Sequence, residues 1–263
     1  MAKFMKRISL KWPLIIFSSF LSIIIFIVPL YGASLYSFRG EGGKGHSLVN
    51  YQWLLHQDGF YPSLFTSLKL AVLAGLLNLI LMVPTMVYLN LKGQRYKSLV
   101  DFLCILPLII PVVSLAIGAQ VAMPKILQNS EYELVFFFVI IALPYTYRAL
   151  DTSLQTVALK TLVEASRSLG ATWTRTIIRV IVPAIRSGIT GALFLTFALS
   201  IGEYTITSLL HWETVPTWTV VAAQQNILGA IAISVFSFVG AIALLSVIAL
   251  FSKKSAQKAE VEE

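Results

Sequence analysis

Six long apolar stretches, separated by short polar ones, constrain this chain more than any other feature. They cover residues 12–38, 63–91, 99–122, 134–150, 184–210 and 230–251. About 20 apolar residues in a helix cross the roughly 30 Å hydrocarbon layer of a bilayer. The chain has 263 residues, of which 57% are hydrophobic and only 12% charged, more apolar surface than a soluble domain of this size can hide. Inside a bilayer every backbone amide must bond within the protein, which leaves helices as the way to use such segments. The expected fold is therefore all-α: a polytopic membrane protein with six transmembrane helices. Residues 1–11 form an N-terminal segment, 12–251 the membrane domain and 252–263 a charged tail. The first stretch is too long for the core of a signal peptide, so it reads as an uncleaved span, despite a small residue, Ala33, at a plausible cut site.

The net charge of +8 would suggest nucleic acid in a soluble protein, but here the basic residues lie in the short segments between spans. Six spans put both termini on one side. That side collects Lys3, Lys6, Arg7 and Lys11, then Lys92, Arg95 and Lys97, then the basic residues between Arg148 and Arg186, and finally Lys253, Lys254 and Lys258. The other side holds Arg39, Lys44 and Lys125, with Lys69 near the outer end of the second span. Positive residues concentrate in cytoplasmic loops, so both termini and the 151–183 loop are expected in the cytoplasm, with the chain in a cytoplasmic (inner) membrane. Nucleic acid is not expected as a partner; membrane lipid is.

That loop is the one long polar interruption. Leu154, Ala158, Leu162, Ala165 and Leu169 recur at steps of 4, 4, 3 and 4, which places them on one helical face. Gly170 follows, where a left-handed helix cap favours glycine. Thr172 is placed to cap a second short helix carrying Trp173, Ile177 and Ile181 on one side. Pro183 stands where the next apolar segment begins, and the first turn of a helix tolerates proline. The pattern predicts a helix, a glycine turn and a second helix between spans four and five, a compact knob that another protein could grip.

The spacing within this loop carries a resemblance. Glu164, Ala165, Ser166, then Gly170, then Val180, Val182 and Pro183 resemble the EAA loop of permease subunits in binding-protein-dependent ABC importers of type I. Ser166, Val180 and Val182 stand where that family's consensus has alanine, isoleucine and leucine. The segment 168–172, Ser-Leu-Gly-Ala-Thr, and the Gly202-Glu203-Tyr204 of span five look most like the branch that handles spermidine and putrescine, thiamine, iron(III), phosphonate or sulfate. The resemblance covers about residues 60–250 and is specific only around 160–186. It implies a permease that forms half of a solute pathway. It further implies two cytoplasmic ATP-binding cassette subunits, a second permease subunit (identical or different) and an extracytoplasmic solute-binding protein. It implies a coupling role toward the ATPase for Glu164, Ala165, Ser166, Leu169, Gly170, Ala171, Thr172 and Pro183.

Polar groups inside spans cost free energy, on the order of 2.5 to 3.5 kcal/mol for a central charge on insertion scales, and default to functional readings. Asn78 in span two and Glu203 with Tyr204 in span five are the candidates for a pathway. Glu203 can equally be a residue near the outer end that is hydrogen-bonded or reaches water. Gly188, Gly191, Ala192, Ala198, Ser200 and Gly202 make span five suited to close helix packing. Prolines 84, 107, 111 and 144 fall inside spans and are expected to kink them. The outer-loop aromatics Tyr51, Trp53 and Trp212 read as interface anchors. Cys104, the single cysteine, reads as a small buried hydrophobe. His46, His56 and His211 lack metal-ligand spacing, so no metal or other cofactor is expected.

No ATP-hydrolysis motif and no nucleophile–base arrangement is visible, so the chain is not expected to be an enzyme. Gly43-Lys44 lacks the glycine spacing of a phosphate-binding loop. The alternative to an importer subunit is an ion-coupled secondary transporter. That would call for coupling-ion sites and usually an internal repeat, whereas this sequence has one embedded acid and a single copy of the 151–183 pattern.

Overall fold

A computed structural model describes residues 2–40, 44–128 and 130–261, with the side chains of 2–11 and of most residues beyond 243 outside the description. Among the described residues the protein is helical, with one isolated bridge between Arg39 and His46. The chain order is α1 (Ala2–Ser37), α2 (Val49–Leu55), α3 (Phe60–Leu91), α4 (Lys97–Ile109), α5 (Val112–Ala122), α6 (Lys125–Gln128), α7 (Glu133–Gln155), α8 (Leu159–Ser168), α9 (Trp173–Thr176), α10 (Val182–Ala184), α11 (Arg186–Ile201), α12 (Thr205–Leu209), α13 (Val215–Gln225) and α14 (Ile227–Val261). The Gly43-Lys44 reading falls partly on residues outside the description, as do residues 262–263 of the tail. The rest of the expected frayed tail continues α14 as helix to Val261.

Among the described residues, three helices are individually long and apolar enough to cross a membrane: Trp12–Ser37, Phe60–Leu91 and Glu133–Gln155. Two further crossings would be bent pairs, Gln94–Ile109 with Val112–Ala122 and Trp173–Ala184 with Arg186–Ile201, bent by 105° and 82°. Residues Ile227–Ala243 form a shorter apolar helix.

The chain divides into two compact units. One holds residues 1–58 with 219–240. In it Asn50 is buried and its Nδ2 donates to the carbonyls of Ser37 and Arg39, at 3.0 and 2.8 Å, while the Tyr51 hydroxyl donates to Ser37 Oγ at 2.8 Å. Trp53 lies so close to Gly229 that a β-carbon there would sit 2.3 Å from its ring. Tyr51 and Trp53 are therefore packing residues of this unit, where interface anchors were expected.

In the other unit, residues 59–218 with 241–263, α3, α7 and α11 cross one another and build the core. Small residues let them approach. A β-carbon on Gly188 would sit 2.4 Å from Ser153 Cβ and 2.9 Å from the Ala149 carbonyl oxygen, and one on Gly75 3.1 Å from Leu193. At the centre Asn78, 1% exposed, donates to Thr146 Oγ1 at 2.8 Å and Thr196 Oγ1 at 3.0 Å, so one amide joins all three helices. Two apolar clusters flank this junction. One, around Met86, Leu150 and Ile185, includes Cys104; the other is built on Leu70, Leu134, Phe137 and Ile206.

Several boundaries differ from the sequence expectation for identifiable reasons. The third span, read as 99–122, breaks at Ile110, which is extended (φ −78°, ψ 128°) because the ring of Pro111 disfavours helix in the residue before it. Pro84, Pro107 and Pro144 remain inside helices. The fourth span continues to Gln155, past the expected end at 150. The fifth, read to 210, ends at Ile201. The expected loop from 210 to 229 contains α13, with Pro216 in its first turn and the Thr214 amide bonded to Thr217 Oγ1 at 2.8 Å. Trp212, expected as an interface anchor, instead donates its indole N–H to the buried Glu133 at 2.6 Å.

Gly188→Val should destabilise the bundle by about 1–3 kcal/mol, because the Ala149 backbone cannot give way cheaply. Gly191→Ala should be silent, since its β-carbon would meet only Ala149 Cβ at 4.0 Å. Thermal unfolding in detergent compares the two. Equal midpoints would show that the α7–α11 crossing is loose.

Candidate functional site: a helical knob and a groove beside it

The knob starts where α7 stops. Gln155 ends the helix, residues 156–158 turn, and α8 begins at Leu159. Leu159, Val163 and Ser166 are its buried face, and Leu159 and Val163 join the cluster around Met86 and Leu150. The face expected from the sequence, Leu154 through Leu169, is not the one that packs. Leu154 is buried but belongs to α7, Leu162 is half-buried, and Ala158, Ala165 and Leu169 are exposed. The turn at 156–158 interrupts the helix and resets its phase, so a period counted through it assigns the wrong face. Leu169 is 89% exposed, with exposed Glu164, Ala165 and Ser168 around it.

The turn after α8 is stiff. Gly170 takes φ +81°, its amide bonds to the Arg167 carbonyl at 3.0 Å, and the Ala171 amide reaches Ser166 O at 3.2 Å. This is the paired arrangement of a glycine-terminated helix, with the left-handed residue that glycine adopts at least cost. Arg167 closes it further by donating to the Ala171 carbonyl at 2.6 Å. Thr172 is extended and its hydroxyl accepts from the Arg175 amide at 3.3 Å, capping α9. Beneath the turn, Ser166 and Thr176 share a buried hydroxyl contact of 2.9 Å that ties the two helices together. Lys160 and Glu164 lie 3.9 Å apart on the exposed side, an ion pair of little energetic weight.

Pro183 does not open the next span as the sequence suggested. It lies in α10, directly after a π-helical turn at Ile177–Ile181. Proline has no N–H for the carbonyl four residues back, and a widened turn is one way a helix accommodates that. The span itself starts at Arg186, beyond the 82° bend.

Glu203 and Tyr204 sit in an unwound stretch between α11 and α12. Glu203 is half-buried, and its Oε1 accepts the Ile206 amide at 2.8 Å, so the carboxylate caps α12. Tyr204 is 42% exposed. Asn78 is locked in the three-helix junction and faces no open wall in this conformation. None of these three residues lines the groove of about 730 Å³ that runs between α4, α7 and α11. Its walls include Tyr145, Arg148, Thr152, Thr156 and Ser187 on the polar side and Ile105, Leu108 and Leu195 on the apolar side. From the sequence, Arg148 bears only on orientation. Its signal was a cation four residues after Pro144 inside an apolar segment, with Thr152 a further turn along the same helical face.

These features define a multi-pass integral membrane protein whose longest polar interruption is folded into a rigid, outward-facing knob. Residues 71–258, more than two thirds of the chain, match the family model described as the inner membrane component of binding-protein-dependent transport systems, and the chain belongs to that family. It is a permease subunit of an ABC importer, a class that works in complexes with an ATPase and a solute-binding protein. A comparison with curated proteins returned no match.

Glu203→Gln keeps an oxygen for the Ile206 amide, whereas Glu203→Ala removes the cap. Loss of a helix cap costs about 1 kcal/mol. Stability should therefore fall in the alanine variant and not in the glutamine variant, read as unfolding midpoints of the purified protein. Equal loss in both would show that the charge itself holds the break.

Proposed function

We propose that this subunit forms one half of a solute pathway and is driven by a cytoplasmic ATPase docked on α8 and the turn after it. The observation that carries this reading is Leu169, 89% exposed at the tip of a turn whose backbone is otherwise closely bonded. An apolar tip on a rigid turn fits a surface made to be covered. Glu164 and Ala165 border it, Gly170 and Thr172 hold its shape, and Leu159 and Val163 root it in the cluster at the ends of α3 and α7. A push on α8 is thus delivered to the bundle and not absorbed in a slack loop.

The full arrangement is two such permease subunits, two ATP-binding cassette subunits and an extracytoplasmic binding protein. With six spans both termini would lie in the cytoplasm, and the concentration of basic residues on that side supports this orientation. The groove along α7 and α11 is the best candidate for this subunit's wall of the pathway, since hydroxyls and one guanidinium in a span belong beside water or a partner and not lipid. Glu203 and Tyr204, at a helix break, would serve the outer part of the same route.

Leu169→Asp should weaken ATPase binding without affecting membrane insertion. Losing the burial of one leucine is worth about 2 kcal/mol, or about thirtyfold in affinity. Co-purification of the ATP-binding subunit with solubilised wild type and its loss from Leu169→Asp would support the proposal. Equal recovery of the ATPase with both would place the docking surface elsewhere.

A further inference from the structure

Just above the knob, α4 and α7 are joined by two ion pairs of opposite polarity. Lys97 Nζ lies 2.6 Å from Asp151 Oδ1, and Arg148 Nη2 lies 3.3 Å from Asp101 Oδ1. On α4 the cation and acid are four residues apart and on α7 three, spacings that put each pair on one face of its helix. The two helices run antiparallel, so the four charges meet as plus to minus and minus to plus. Both aspartate Oδ1 atoms are shut off from solvent and rest on charge contact in place of an aligned hydrogen bond. Gln155 holds the second Asp151 oxygen at 2.7 Å, and Lys97 also reaches Asn90 Oδ1 on α3 at 3.3 Å.

This arrangement permits one register. Sliding α7 by a turn along α4 would bring Arg148 toward Lys97 or Asp151 toward Asp101, and like charges in a partly buried contact are strongly disfavoured. Asp151 stands five residues before the turn from which the knob grows. At its other end α4 meets the 105° bend at Ile110, beyond which α5 packs against α12.

We infer that Lys97 and Asp151, seconded by Arg148 and Asp101, are positioning residues that make α4 move with α7, so that displacement of the knob reaches α5 on the far side of the membrane. The inference rests on the coupling role proposed above. Without the pairs, α7 would shift against α4 and the motion would stop at the groove. The neighbouring apolar clusters supply the packing, and the charges add a penalty specific to the shifted registers.

The test uses the assembled complex of this chain with its second permease and ATP-binding subunits in nanodiscs. Val121→Cys on α5, in a Cys104→Ser background, is labelled with a membrane-impermeant maleimide, with and without ATP plus vanadate. Val121 is 82% exposed, so movement of α5 that covers it registers as a fall in reactivity. In the parent protein the trapped nucleotide should change the labelling rate several-fold. Lys97→Met with Asp151→Leu replaces the pair by apolar side chains, which commonly preserves folding. That variant should still assemble and hydrolyse ATP while the labelling ratio falls to unity. The variant with all four charges exchanged, Lys97→Asp and Asp101→Lys with Arg148→Asp and Asp151→Arg, keeps the alternating polarity and should keep most of the response.

A full response in the apolar variant would overturn the inference, as would loss of the response in both variants. A parent complex that holds the ATPase but shows no response to nucleotide would overturn it too, whereas a parent complex that holds no ATPase would sink the docking proposal itself, and this inference with it.

Discussion

One buried amide organises the membrane part of this protein. Asn78 bonds to Thr146 and Thr196 and so requires α3, α7 and α11 to cross at one point. In hydrocarbon such a group has no water to fall back on, so an arrangement that separates the helices leaves it unpaired. Gly75, Gly188 and Ala192 make the approach possible by keeping the crossings thin, and the apolar clusters fill the space on either side. The order of dependence runs from small residues to close crossing to an Asn78 NH2 group paired with both threonines.

The knob depends on that bundle. Its inner face is a continuation of the cluster that surrounds Met86 and Leu150, and its turn is closed by backbone bonds at Gly170 and a hydroxyl contact between Ser166 and Thr176. A loop held at both its root and its tip transmits force, whereas a loop held only at its root would flex. Its outer face offers Ala165 and Leu169 beside Glu164, apolar surface bordered by charge. A single subunit has no internal use for that surface, and the family to which the chain belongs works as a multi-subunit complex.

Much of this was legible in the sequence, and the misses have physical causes. The apolar segments stand out because a bilayer demands long uninterrupted runs. The caps at Gly170 and Thr172 are legible because their roles are local: a left-handed cap and a hydroxyl cap depend on one residue each. The packing face of α8 is not legible from period alone, because Leu154 and Leu169 share a period across the turn at 156–158 that no single residue announces. Ala165 and Leu169 also mislead for a second reason, since an apolar side chain that serves a partner has the same sequence signature as one that serves the core. Glu203 was visible as an embedded acid, but its cap on α12 required knowing that α11 stops at Ile201. The groove and the charges on α4 and α7 arise from residues far apart in the chain, which periodicity cannot bring together.

The central claim is that the exposed tip of the knob is covered by an ATPase. Site-specific photocrosslinking tests it most directly, with the photoreactive residue placed at Leu169 in one protein and at the buried Val163 in another, in intact membranes. The account predicts a crosslink to an ATP-binding subunit from position 169 and none from position 163. Crosslinks from 169 only to lipid or within this chain would contradict it.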